Sequence, residues 1–177
     1  MKSKWFVLLL VVFSFGPQAQ AFEQIEANLK YPVGMGLTAS GYTPALGFGA
    51  SIYFSPLLDP AVPNYLSVGY QTYKINADGT SSLKMIPVIA SFEIVGKAFS
   101  DFNTTFAVGA GLAASYVSVV SQTSYNWSTY FVTQIKPGFD WMVSDGISLV
   151  GHTPITMFIS KVFMSSMDFD LGVKFKL

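Results

Sequence analysis

The chain has 177 residues, 51% of them hydrophobic, with ten basic and ten acidic side chains that cancel. All ten basic residues are lysine, so the bidentate arginine contacts that usually read bases or grip phosphate are absent, and nucleic acid is not expected as a partner. The absence of cysteine excludes disulfide frameworks and thiolate metal sites.

The first segment reads as a secretory leader. Lys2 and Lys4 precede an apolar run over residues 5–15, and Gln18-Ala19-Gln20-Ala21 offers a small-x-small cleavage site. That run is too short to cross a bilayer. Residues 1–21 are therefore expected to be a signal peptide and residues 22–177 a single domain. In the rest of the chain the best candidate for a membrane helix, residues 106–120, is short and carries Gly109, Gly111, Ser115 and Ser118.

Period-two alternation then recurs along the whole chain, which is the pattern of strands with two unlike faces. The first strand is expected within residues 28–39, with Leu29, Tyr31 and Val33 opposite Lys30, Pro32 and Gly34. After a turn at 40–44, the second (45–54) sets Leu46, Phe48 and Ile52 against Gly47, Gly49, Ser51 and Tyr53. The third (65–74) sets Leu66, Val68 and Tyr70 against Ser67, Gly69, Gln71 and Tyr73, and Asp78-Gly79 signals a hairpin. The fourth (83–95) carries Ser91 and Glu93 on its minor face, and a connection over 96–103 follows. The fifth (104–119) has Phe106, Val108 and Leu112 on one face and small residues on the other. After a polar loop at 121–126, the sixth (127–142) sets Phe131, Ile135 and Phe139 against Gln134, Lys136, Gly138 and Asp140. Ser144-Asp145-Gly146 is a tight hairpin turn, and the seventh strand (147–159) sets Leu149, Ile155 and Met157 against Ser148, His152 and Thr156. Lys161 falls in the last turn. The eighth strand (169–177) alternates without a break to the last residue.

In a soluble sandwich the second face of each strand would carry solvated charge. Here it is mostly glycine, serine and alanine, which suits the inside of a narrow barrel whose apolar face turns outward. Eight strands joined by short turns give an all-β, eight-stranded antiparallel up-and-down transmembrane β-barrel. Pro32, Pro87, Pro137 and Pro154 lie within strands and lack the N–H that a ladder needs, so bulges that shift the inside and outside assignments are expected at them.

The closing octet Asp170-Leu-Gly-Val-Lys-Phe-Lys-Leu177 resembles the C-terminal signal of small bacterial outer-membrane β-barrel proteins. Asp170, Gly172, Phe175 and Leu177 fit that pattern, with Leu177 in place of the usual terminal phenylalanine. The resemblance implies a location in the outer membrane, with outer-membrane lipids and the barrel assembly machinery as partners. It also implies that both termini face the periplasm and that the connections at 40–44, 75–82, 120–126 and 160–163 face outward. Those connections are short, which leaves little room for a large binding head. A monomer is expected.

Polar side chains on the inner face form the candidate site: Lys30, Glu93, Lys136, Asp140, His152, Asp170 and Lys174. The sixth and eighth strands run in the same direction, which suggests that Lys136 lies near the level of Asp170 and Asp140 near Lys174, with His152 on the strand between. Such a network would block the lumen. No metal-ligand spacing or phosphate-binding loop is present, and no cofactor is expected. His152, the one histidine, suggests a lipid-modifying alternative in which Ser148, Ser115 or Glu93 assists it, but Gly151-His-Thr-Pro154 lacks the His-x-Ser-Asn pattern of the lipid A deacylases. The leading expectation is a non-enzymatic outer-membrane protein with a structural or narrow-pore role. A lipid-modifying enzyme, a channel for small apolar molecules and a soluble periplasmic lipid-binding barrel are the alternatives.

Overall fold

The computed structural model describes residues 22–35, 41–56, 62–77, 80–119, 127–160 and 163–177. The expected leader, the Asp78-Gly79 hairpin tip, the loop at 121–126 and Lys161 lie outside the described residues.

Ten strand segments are present: β1 (Phe22–Met35), β2 (Tyr42–Pro44), β3 (Gly47–Phe54), β4 (Asn64–Ile75), β5 (Ser82–Lys97), β6 (Phe102–Ser118), β7 (Trp127–Ser144), β8 (Ile147–His152), β9 (Ile155–Ile159) and β10 (Met164–Lys176). They make eight walls. β2 and β3 both pair with β4, and β8 and β9 both pair with β7 and with β10. Every pairing is antiparallel, and β1 joins both β3 and β10, so the sheet closes on itself. Closure leaves no free edge, which satisfies the backbone groups that an open sheet would expose.

Several element boundaries differ from the sequence expectation. β1 begins six residues earlier, at Phe22, and β10 begins at Met164 instead of residue 169. Tyr42–Pro44, expected as part of a turn, pairs with β4. The connection expected over 96–103 is shorter, because Gly96 and Lys97 complete β5 while Phe102 and Asn103 open β6. The β7–β8 hairpin turns at Asp145-Gly146, where Gly146 adopts a positive φ of 89° that a side chain would disfavour.

The shift expected at the four prolines does not occur. β7 pairs Ile135 with Ile155 on one side of the Thr153-Pro154 break and Gly138 with His152 on the other, in the same register. Across the break the Thr153 amide donates to the Pro137 carbonyl, and the Asp168 amide donates to that of Pro154. Each proline lacks only the reciprocal N–H, so the ladder loses single bonds and keeps its count. At Pro87 the β4–β5 bridges skip from Val68–Val88 to Gln71–Met85, again in one register. The irregularities of register among the described residues lie elsewhere: between Phe22 and Gln24, between Met142 and Ser144, and between β2 and β3, where the step from Pro44–Tyr73 to Phe48–Tyr70 adds one residue against β4.

Inside and outside therefore follow the alternation. Leu29, Phe48, Val68, Val88, Phe106, Phe131, Leu149 and Leu171 point outward and are exposed, an apolar belt of a size that soluble monomers rarely show. No helix among the described residues is long and apolar enough to cross a membrane, which leaves the strands to be judged by this belt.

The lumen holds two kinds of packing. Toward the 75–82 and 160–163 connections lies an apolar cluster of Tyr73, Leu83, Met85, Ile89, Ala113, Val132, Phe158 and Met164, with Tyr42 and Tyr130 packed against it. Each large member that is fully buried contributes about 1.5–3 kcal/mol. Toward the termini the filling is charged.

Candidate functional site

Glu26 is the centre of the charged half. β1 carries it inward on the same face as Asn28 and Lys30, and it is completely buried. The Tyr53 hydroxyl donates to its Oε2 at 2.7 Å, and the Asn28 amide donates to its Oε1 at 2.8 Å. Lys136 Nζ on β7 approaches Oε1 at 3.3 Å, and His152 Nε2 on β8 lies 3.5 Å from it. Four strands thus meet at one carboxylate.

Two further pairs flank this centre. Lys30 Nζ meets Asp170 Oδ2 at 2.6 Å across the seam between β1 and β10, where the two residues are direct register partners. Lys174 Nζ reaches Asp140 at 2.9 Å and Glu93, on the far wall, at 3.9 Å. Tyrosine rings line the same space. Lys136 lies 5.1 Å from the ring of Tyr65 and Lys174 lies 4.5 Å from that of Tyr53, while the two rings pack at 4.7 Å. The attraction of an ammonium to a ring face partly compensates for lost hydration.

All seven sequence-derived residues face the lumen; Lys30, Glu93, Lys136, Asp140, Asp170 and Lys174 take part in these ion pairs, and His152 lies against Glu26. The expected proximity of Asp140 and Lys174 is present. Lys136 does not pair with Asp170. His152 pairs with Gly138 on β7 and with Asp170 on β10, so the row through Asp170 meets β7 two residues beyond Lys136. Lys30, directly opposite, takes Asp170, and Lys136 turns to Glu26. Glu26 is missed when the first strand is started at residue 28. The alternation of Glu26, Asn28 and Lys30 against Ile25, Ala27 and Leu29 is the signal that places it inside.

His152 is buried, and neither ring nitrogen makes a hydrogen bond within the described structure. Its imidazole is seated against Gly138, where any Cβ would overlap Nδ1 and the Gly151 carbonyl oxygen. Ser115 and Ser148 also face inward, but neither is hydrogen-bonded to His152. No cluster of three metal-ligating side chains occurs among the described residues. A cavity of about 20 Å³, with volume for about one water, is bordered by Asn28, Lys30, Gln71, Gln134, Lys136 and Thr156.

The assembly-signal residues divide by face. Asp170 is buried in the lumen, while Phe175 and Leu177 point outward and are exposed. Gly172 lies on the inner face, where a Cβ would overlap the Ala27 carbonyl oxygen of β1.

No family model and no curated protein matches the sequence. Among solved structures the chain is similar to Neisserial surface protein A, with a TM-score of 0.69 at 12% identity, covering 90% of this chain and 100% of that one. It is also similar to a major outer membrane protein from Thermus thermophilus, with a TM-score of 0.57 at 8% identity, covering 86% and 99%. A third likeness is to Ail, the attachment invasion locus protein of Yersinia pestis, with a TM-score of 0.55 at 12% identity, covering 89% and 100%. The chain has the fold of the small eight-stranded outer-membrane β-barrel proteins.

Proposed function

We propose that residues 22–177, exported by a cleaved leader at 1–21, form an integral outer-membrane protein with a structural role in the envelope and a non-conducting lumen. The observation that carries this reading is the filling of the barrel. Lys30, Lys136 and Lys174 are tied to carboxylates in one half, and an apolar cluster closes the other. An ion entering from either end meets fixed charge pairs or a dry plug. The outward belt supplies the surface that bilayer lipid covers. The terminal octet supplies the features by which the assembly machinery would recognise a monomeric substrate. In this reading His152 is a packing neighbour of Glu26, with no catalytic role.

Two measurements test the reading together. Membrane fractionation with a detergent gel of heated and unheated samples is expected to place a heat-modifiable band in the outer membrane. Purified protein in a planar bilayer is expected to give no steady conductance. Recovery in the soluble periplasmic fraction, or large steady currents, would overturn it.

A further inference from the structure

Five carboxylates, Glu26, Glu93, Asp140, Asp168 and Asp170, line the lumen, against three lysines, Lys30, Lys136 and Lys174. The lysines are committed to Asp170, to Glu26 and to the Asp140–Glu93 pair. Asp168 is left over. It is completely buried, and no ion pair reaches it among the described residues.

Its surroundings reinforce the deficit. The Gln71 amide nitrogen donates to Asp168 Oδ2 at 2.5 Å. Oδ1 has no partner, nor does Gln71 Oε1, and both side chains are at most 2% exposed. Ser166, two residues back on the same face, has an unpartnered and buried hydroxyl oxygen. The direct partners of Asp168 on either side offer no side-chain donor, since its register partner on β1 is Pro32 and its backbone partner beside β9 is Pro154. The result is a buried carboxylate with no lysine partner among the described residues, bordered by the Gln71 carbonyl oxygen and the hydroxyl oxygens of Ser166 and Tyr73. A buried charge without a counterion is costly, and hard oxygen ligands suit a proton or an alkali ion.

We propose that Asp168, with Gln71 and Ser166, is a binding site for one monovalent cation, either a proton carried on the carboxyl or a sodium-sized ion held by these oxygens. Five carboxylates against three lysines leave two negative charges: Asp140 and Glu93 share Lys174, whereas Asp168 has no lysine within ion-pair distance among the described residues, so its own site calls for one positive charge. The other titratable groups on the faces around it are Asp170 on β10, Lys30 on β1 and Tyr73 on β4, so the test must isolate Asp168 from them.

The experiment uses the refolded full barrel in detergent. Melting is followed on a grid of pH and sodium chloride, with choline chloride replacing sodium at constant ionic strength. Difference infrared spectroscopy monitors the carbonyl stretch of a neutral carboxylic acid. The wild type is expected to show either that band or a rise of melting temperature with sodium, by mass action on the folded state. Asp168→Asn is expected to lose whichever response is present. The band identifies the proton and the sodium dependence identifies the alkali ion. A wild type with neither would overturn the site, and so would an Asp168→Asn protein that retains the wild-type response. Should Asp168→Asn fail to fold, Gln71→Leu, which removes the amide that donates to Asp168, is expected to shift the band or weaken the sodium response, and an unchanged response would overturn the site.

Discussion

Glu26 and Lys136 face each other at 3.3 Å from strands β1 and β7, with two whole walls of the barrel between them. The glutamate is fully buried and the lysine is nearly so. The cost of removing one partner from such a pair is set by the charge that stays behind, more than by the attraction that is lost. Lys136→Met is therefore expected to lower unfolding free energy in urea by about 3–5 kcal/mol. Adding Glu26→Gln to it should recover most of the loss, because the stranded charge is removed. Lys161→Met, in the expected last turn, should cost far less. Equal losses for the two lysine variants would show that the lumen charges are solvated.

A second prediction concerns the seat of His152. A Cβ at Gly138 would overlap both the His152 ring and the backbone of Gly151, and the ring cannot retreat into a filled lumen. Gly138→Ala is expected to destabilise the barrel by about 1–3 kcal/mol through overpacking. Gly41→Ala is the control, since nothing lies within 4 Å of the added atom. It should stay within about 0.5 kcal/mol of the wild type. Thermal melting of the refolded variants checks both, and a neutral Gly138→Ala would mean that the β7–β8 wall yields easily.

Phe175 and Leu177 are the third case. They point outward at the end of β10, so their loss opens no cavity in the lumen. A purely structural role predicts that the double Ser variant refolds in detergent almost as well as the wild type. A role in recognition predicts that its level in the outer membrane collapses while detergent refolding survives. The second outcome is expected, and quantitative immunodetection in membrane fractions separates the two.

Strand identity and face were legible in the sequence because one rule, alternation, governs each wall of a closed barrel wherever no residue is added, as one is between Pro44 and Phe48. The rule held even at Pro32, Pro87, Pro137 and Pro154, where a shift was expected, because a missing N–H deletes one bond without adding a residue. Pairing partners inside the lumen were less legible. Asp140 met Lys174 as the parallel run of their strands suggested, whereas Lys136 was diverted to Glu26 by Lys30. Partner choice depends on the stagger between strands and on competition among long side chains, and neither is written in a single strand. The apolar cluster was overlooked for another reason. Leu83, Met85 and Ile89 share a face with Ser91 and Glu93, so β5 is greasy on both sides at one end and polar inside only at the other.

The partnership of Glu26 with Lys136 spans 110 residues of chain. The acid belongs to the first strand and its counter-charge, Lys136, to the sixth wall, so timing enters the design. A chain delivered from its amino end presents a strand with a bare carboxylate long before anything can neutralise it. That carboxylate keeps the early strand wet and reluctant to enter hydrocarbon alone. Only when the later walls arrive does burial become tolerable, so the contact that fastens the finished ring can form only late.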